Sequence, residues 1–182
     1  MPGFMPGIHV FIHGETHKDV DGRDEPGHDA RGEIMAASFM EQALQQARAA
    51  AAVGEVPVGC VVVQSGVVIA AAGNRTLAER DPTAHAEMIA IRQAAAALGS
   101  ERLADCDLYV TLEPCAMCAA AMSFARIRRL YYGAADPKGG AVENGVCFFE
   151  SRTCHHRPEV YGAINENDSA ALLRDFFGAR RG

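Results

Sequence analysis

Apolar positions recur along this chain with two different periods, and their order predicts its elements. From Ala37, ASFMEQALQQARAAAA spaces Phe39, Met40, Ala43, Leu44 and Ala47 by three and four, the stripe of a helix packed on one side, and Gly54 ends it. VPVGCVVVQ and VVIAAAGN flank Ser65-Gly66 and predict a β-hairpin. HAEMIAIRQAAAAL, beginning at His85, predicts an alanine-rich helix from about Ala84, and DLYVTL (Asp107 to Leu112) a short buried strand. A second alanine-rich helix is expected over Cys115 to Ala125, then a strand at RLYYGA and, past a long glycine-containing loop, another at EVYGA. NDSAALLRDFFGARR closes the chain as an amphipathic helix, capped at Asn167 or Asp168. Helices alternating with five strands specify an α/β layered domain. There is no internal repeat.

His13 to Glu33 show no hydrophobic period and are rich in Gly, Asp and His. Residues 1–34 are therefore expected to be a disordered acidic extension, and 35–182 the ordered domain. His13, His17 and His28 belong to that solvated tail, and Met35 offers a second possible start.

At 182 residues, 49% of them hydrophobic, the chain is long enough for one domain with its own core. No apolar run approaches the roughly 20 residues that cross a membrane. MPGFMPGIHVFIHGE has no basic region ahead of its short apolar run and does not read as a signal peptide. A cytoplasmic location is expected, where six cysteines suggest metal or chemistry before disulfides. The net charge of −6 argues against a nucleic-acid partner until its distribution is considered: residues 1–34 hold seven acids and three bases, leaving −2 for the rest. Within that remainder Arg126, Arg128 and Arg129 cluster, as do Arg174, Arg180 and Arg181, and such clusters hold phosphates locally.

The first turn of the His85 helix carries an imidazole and, two residues on, the carboxylate of Glu87. Acids are favoured at a helix start in any case. What gives this pair a chemical meaning is EPCAMC, Glu113 to Cys118, directly after DLYVTL. A lone C-x-x-C is a redox pair or half a zinc site. Here Pro114 suits a helix's first turn, which would place Cys115 and Cys118 on one face where the helix dipole favours thiolates. With His85 they make three ligands, leaving one position for water, the pattern of a catalytic zinc; a structural zinc takes four. Glu87 then reaches that water as a proton carrier without ligating the metal. H-x-E followed by P-C-x-x-C resembles the signature of zinc-dependent base deaminases.

GNRT (Gly73 to Thr76), DPTAHAE (Asp81 to Glu87), LYVTLEPCAMCAAAM (Leu108 to Met122), RIRRLYYGA (Arg126 to Ala134), DPKGGA (Asp136 to Ala141) and ALLRDFF (Ala171 to Phe177) closely resemble the bacterial tRNA-specific adenosine deaminases, within the cytidine/deoxycytidylate deaminase superfamily. The likeness runs from about Met35 to Arg181. It implies a three-layer, cytidine-deaminase-like α/β fold with a mixed five-stranded sheet packed by helices. It further implies conversion of wobble adenosine to inosine in a tRNA anticodon stem-loop, one zinc per subunit, and a homodimer. By the same resemblance His85, Cys115 and Cys118 are the zinc ligands and Glu87 the proton shuttle. Asn74 binds the target base, and Ala86 lends a backbone N–H. Asp136, His156 and the closing helix's Phe176 and Phe177 face the RNA.

Two positions depart from the family's pattern: Thr76 stands where proline often follows the NR pair, and Gly54 where a charged residue often precedes EVPVG. Cys60, Cys106 and Cys147 read as core or free thiols, and Cys154-His155-His156 lacks the further ligands of a second metal site. Two other functions use the same residues. One is a deaminase of a free base or nucleoside such as guanine or cytosine; the other is a non-catalytic, zinc-stabilised RNA-binding module, which leaves Glu87 without a role.

Overall fold

A computed structural model describes residues 30–180, so the expected extension lies outside the described residues up to Asp29. Helix α1 spans Ala30–Ala52 and starts ahead of the expected Ala37. Of the added residues, Ile34 and Met35 face solvent and Ala36 is buried, too little to mark an apolar stripe in the sequence. A helix once nucleated extends at little cost per residue. Strands β1 (Gly59–Gln64) and β2 (Val67–Gly73) form the hairpin. Ser65 and Gly66 both sit at positive φ, as a two-residue type I′ turn requires.

A four-residue helix α2 (Thr76–Glu79), not foreseen from the pattern, follows, then α3 (Ala86–Leu98) and β3 (Cys106–Leu112). Helix α4 (Ala116–Ala125), β4 (Arg129–Ala134), β5 (Glu159–Tyr161) and α5 (Glu166–Ala179) complete the order. The last helix begins before Asn167 and Asp168. Asn165 is its capping position, in the left-handed region that asparagine tolerates, and its carbonyl accepts from Ser169 N–H at 3.2 Å.

The sheet order is β2-β1-β3-β4-β5; β1 runs antiparallel to β2 and β3, whereas β3, β4 and β5 are parallel. This is the mixed five-stranded sheet of the expected fold, with α1 and α5 on one face and α3 and α4 on the other. Alternation along β1 divides the core accordingly. Cys60 and Val62 join α3 and α4, while Val61 and Val63 join α1. α1 lies so close to the sheet that a Cβ at Gly59 would meet the Ala43 carbonyl. On that face Phe39, Tyr109, Tyr131 and Tyr161 form a row of rings with centroids 5.3, 4.4 and 4.8 Å apart.

Asn74 follows β2, Glu113 follows β3, Asp136 follows β4, and Glu55 lies a few residues before β1. The pairings Gly59–Gly73, Cys60–Val110 and Leu112–Ala134 place all these at one end of the sheet. That is the carboxyl end of the parallel strands, where open α/β sheets bind their ligands. Among the described residues no helix is long and apolar enough to cross a membrane.

Candidate active site

Two helix starts converge at this end. His85 is the capping residue of α3 and Cys115 that of α4, both in extended backbone. Pro114 consequently stands before the helix rather than in its first turn, and its carbonyl accepts from Ala141 N–H at 2.9 Å. The DPT turn aims the histidine. Asp81 Oδ1 accepts from Thr83 N–H and Oγ1 at 2.7 Å each, Thr83 O accepts from His85 N–H at 2.8 Å, and α3 starts one residue on.

His85 Nδ1 lies 3.7 Å from Cys115 Sγ and 3.6 Å from Cys118 Sγ. Zinc bonds of about 2.3 Å to sulfur and about 2.0 Å to nitrogen, at a tetrahedral angle, set these atoms about 3.5 Å apart. The donor set thus fits zinc in both chemistry and spacing. Among the described residues this is the group of His, Cys, Asp and Glu side chains close enough to hold a metal, and it has three members, as a catalytic site does. All six cysteines are free thiols, and Cys60 is a core thiol whose pKa burial raises, with Glu87 adding to it.

Cys115 and Cys118 are joined by a side-chain hydrogen bond. A hydrogen bond from Cys118 holds the Cys115 thiol down at about 4, with the His85 bond assisting against burial. That same bond, together with burial, holds Cys118 well above the usual thiol range. Both helix starts favour negative charge at this position.

Glu87 lies in the first turn of α3, 4% exposed, within the buried stripe Ala86, Ala90, Ile91 and Ala94. Burial raises its pKa, while its own backbone N–H and His85 partly offset the effect. A carboxyl whose pKa is raised holds an accepted proton more readily and can return it. Ala86 is fully buried and first in α3, where backbone N–H groups have no acceptor within the helix. Asn74 is joined to this centre through its neighbour, whose amide (Arg75 N–H) donates to Ala84 O at 3.0 Å.

The remaining expected residues are distributed differently. Asp136 uses Oδ1 to accept from Lys138 and Gly139 N–H, both at 3.0 Å, and so shapes its own turn. His156 Nε2 donates to Ile127 O at 2.7 Å, and its backbone N–H to Ser123 Oγ at 3.2 Å. These contacts place it past the other end of α4 from Cys115, about 15 Å along a ten-residue helix. Phe176 and Phe177 pack edge to face on α5, across the sheet from α3 and α4, with the Arg180 guanidinium 4.1 Å over Phe176. Cys154 is tied locally, its thiol donating to His156 O at 3.0 Å.

Two buried carboxylates were not legible in the sequence, Glu55 and Glu113. Glu113, 2% exposed, organises the loop after β4. Its Oε1 accepts from the N–H groups of Val142, Glu143 and Asn144, and Oε2 from Asp136 N–H and Asn144 Nδ2, at 2.6 to 3.1 Å. Burial acts to raise its pKa, but the hydrogen bonds outweigh it and the result is lowered. Its contribution to stability is full above the ordinary glutamate pKa of about 4.3 and is lost as pH falls through the lower folded value. Glu113→Gln turns an amine toward two donors and is expected to cost about 2–3 kcal/mol, or roughly 5–10 °C in Tm, at pH 7. Thermal unfolding of both proteins from pH 7 to pH 3 checks this: the gap should narrow in acid, and a pH-independent gap would refute the charge-based account.

Comparison with known proteins agrees with this geometry. Residues 34–134 match the cytidine and deoxycytidylate deaminase zinc-binding region. The chain is 63% identical over 143 residues to the tRNA-specific adenosine deaminase of Agrobacterium fabrum, covering 79% of this chain and 94% of that protein. A solved structure from a study of A-to-I editing at the wobble position of transfer RNA superposes with a TM-score of 0.74 at 63% identity, over 75% of this chain and 99% of that one. The guanine deaminase from Nitrosomonas europaea is more distant, with 25% identity and a TM-score of 0.69 over 78% and 84% of the two chains. The chain belongs to the cytidine and deoxycytidylate deaminase zinc-binding family, and within it to the tRNA-specific adenosine deaminases.

Proposed function

We propose that this protein hydrolyses adenosine to inosine at the wobble position of a tRNA anticodon, releasing ammonia. The observation that carries the chemistry is the buried Glu87 beside a three-member His85, Cys115, Cys118 ligand group. What carries the substrate is 63% identity to a tRNA-specific enzyme, against 25% to a deaminase of free guanine.

Zinc bound by the three ligands supplies the Lewis acidity that lowers a water's pKa from about 15.7 toward about 7. Glu87 accepts a proton from the attacking water and delivers it to N1 of the purine, which makes C6 electrophilic. It then takes the remaining proton from the oxygen now bonded to C6 and passes it to the departing amine, so that ammonia leaves as the C6 carbonyl forms. The base is flipped out of the anticodon loop, held by the Asn74 side chain and the Ala86 N–H. Asp136, His156, Phe176 and Phe177 touch the RNA outside that pocket. Two copies of the chain form the working enzyme, which acts in the cytoplasm.

Incubation with an anticodon stem-loop RNA, followed by sequencing for inosine, should show conversion at the wobble position and nowhere else. Deamination of free guanine or cytosine with wobble adenosine untouched would overturn the tRNA reading and leave the zinc chemistry standing. Light scattering should give twice the mass of one chain at concentrations where the enzyme works; a monomer there would refute the dimer.

A further inference from the structure

Both departures from the family pattern, Gly54 and Thr76, adjoin Glu55 in space, and Glu55 leads to Asn74. Gly54 has φ +84, and its carbonyl accepts from Arg180 Nη2 at the end of α5. Glu55, next in the chain, is 1% exposed. Its Oε1 accepts from the N–H groups of Leu77 and Ala78, at 2.9 and 2.8 Å, and so holds the first turn of α2. Its Oε2 faces two side chains. Asn74 Nδ2 donates to it at 3.2 Å and Thr76 Oγ1 at 3.3 Å, while Asn74 Nδ2 also donates to Thr76 Oγ1 at 3.2 Å.

The chemistry of these groups permits one arrangement. A carboxylate only accepts, so the end of the Asn74 amide that faces Glu55 must be its nitrogen. The Thr76 hydroxyl spends its proton on Glu55 and is left to accept, so it too requires nitrogen from Asn74. An asparagine side chain otherwise has two orientations of nearly equal shape, which present opposite hydrogen-bonding groups. Here one of them is imposed from behind by a buried charge.

We propose that Glu55 and Thr76 are positioning residues for base recognition: they lock the Asn74 amide with Nδ2 turned to Glu55, so that the substrate base meets Asn74 in that orientation alone. This rests on Asn74 being the base contact in the function proposed above. Thr76 adds a hydroxyl to the lock, bonded to both Glu55 and Asn74. Glu55 touches no substrate and acts through Asn74.

Glu55→Gln separates this role from a purely structural one. The single oxygen of a glutamine can still serve the two N–H groups of α2. Its amine then faces Asn74, which must flip to accept. The expected outcome is unchanged zinc content, a Tm close to that of the parent, and kcat/KM on anticodon stem-loop RNA reduced about 10- to 100-fold. Thr76→Val should reduce it by about two- to tenfold with the fold intact. The decisive measurement is a double-mutant cycle with Asn74→Ala. In the Asn74→Ala background, Glu55→Gln and Thr76→Val should each change kcat/KM by less than about twofold, because the amide they orient is gone.

Penalties that multiply in the double variants would overturn the proposal, as would Glu55→Gln behaving like the parent while Asn74→Ala is impaired. Asn74→Ala at the parental rate would remove the base contact itself, and the proposal with it. The parent enzyme anchors the comparison: absence of inosine in its own reaction refutes the proposed function before any variant is measured.

Discussion

Glu87→Gln is expected to keep its zinc and bind anticodon RNA within a few-fold of the parent, yet form inosine at least about 10²–10⁴ times more slowly. The loss corresponds to about 3–5 kcal/mol of barrier. Aromatic adenosine is a poor electrophile at C6, so attack by water needs two proton movements, off the nucleophile and onto N1. In this structure the one carboxyl in the buried stripe of α3 is within a turn of His85, and burial has moved its pKa toward neutrality. A glutamine of the same shape preserves the packing among Ala86, Ala90 and Ile91 and removes the proton carrier. Metal analysis and RNA titration of the variant establish that the site is intact; sequencing for inosine reads the rate. Turnover near the parental rate would show that another group moves the proton.

Cys115→Ala is expected to lose both zinc and activity, the activity by more than the roughly 10–100-fold that removal of an outer-sphere partner costs. It leaves His85 and Cys118 as two donors where three lie within ligand distance. The Cys118 thiol then also loses its hydrogen-bond partner at Cys115. Since metal binds only the folded chain, the parent should also lose thermal stability on chelation, while Cys115→Ala should no longer respond to chelator. Cys147→Ala is the control. Its thiol donates weakly to backbone carbonyls of Glu143 and Asn144 in the loop and faces no ligand. It should retain zinc and rate. An active Cys115→Ala protein with full zinc would mean that the metal is held elsewhere.

Much of the chemistry was legible because metal ligation restricts residue types. Only a few side chains bind zinc at neutral pH, and H-x-E and P-C-x-x-C place three of them and a carboxylate at helix starts. Glu55 and Glu113 carried no such mark. Each works by accepting hydrogen bonds from residues distant in sequence, Asn74 at a separation of 19 and Asn144 at 31. A glutamate that binds backbone N–H groups looks, in a sequence, like any solvated glutamate. Nor does the sequence show what His156 holds within the fold: its ring bonds the Ile127 carbonyl, 29 residues back in the chain.

By itself the sequence determined what depends on near neighbours. The β4 strand Arg129–Ala134 and the body of each main helix follow from period-two and period-3.6 patterns, since those record which side of a local segment is buried. Element ends were decided by tertiary structure: α1 extends back to Ala30, past the solvent-facing Ile34 and Met35, and α5 starts after Asn165 because its backbone turns left-handed there. The strand order β2-β1-β3-β4-β5 was also decided there, and with it the gathering of Asn74, His85, Glu113 and Asp136 at one sheet end. The physical reason is that a side chain's type sets what it can bind, while its partners are set by which distant segments the sheet brings within about 3 Å, the reach of a hydrogen bond.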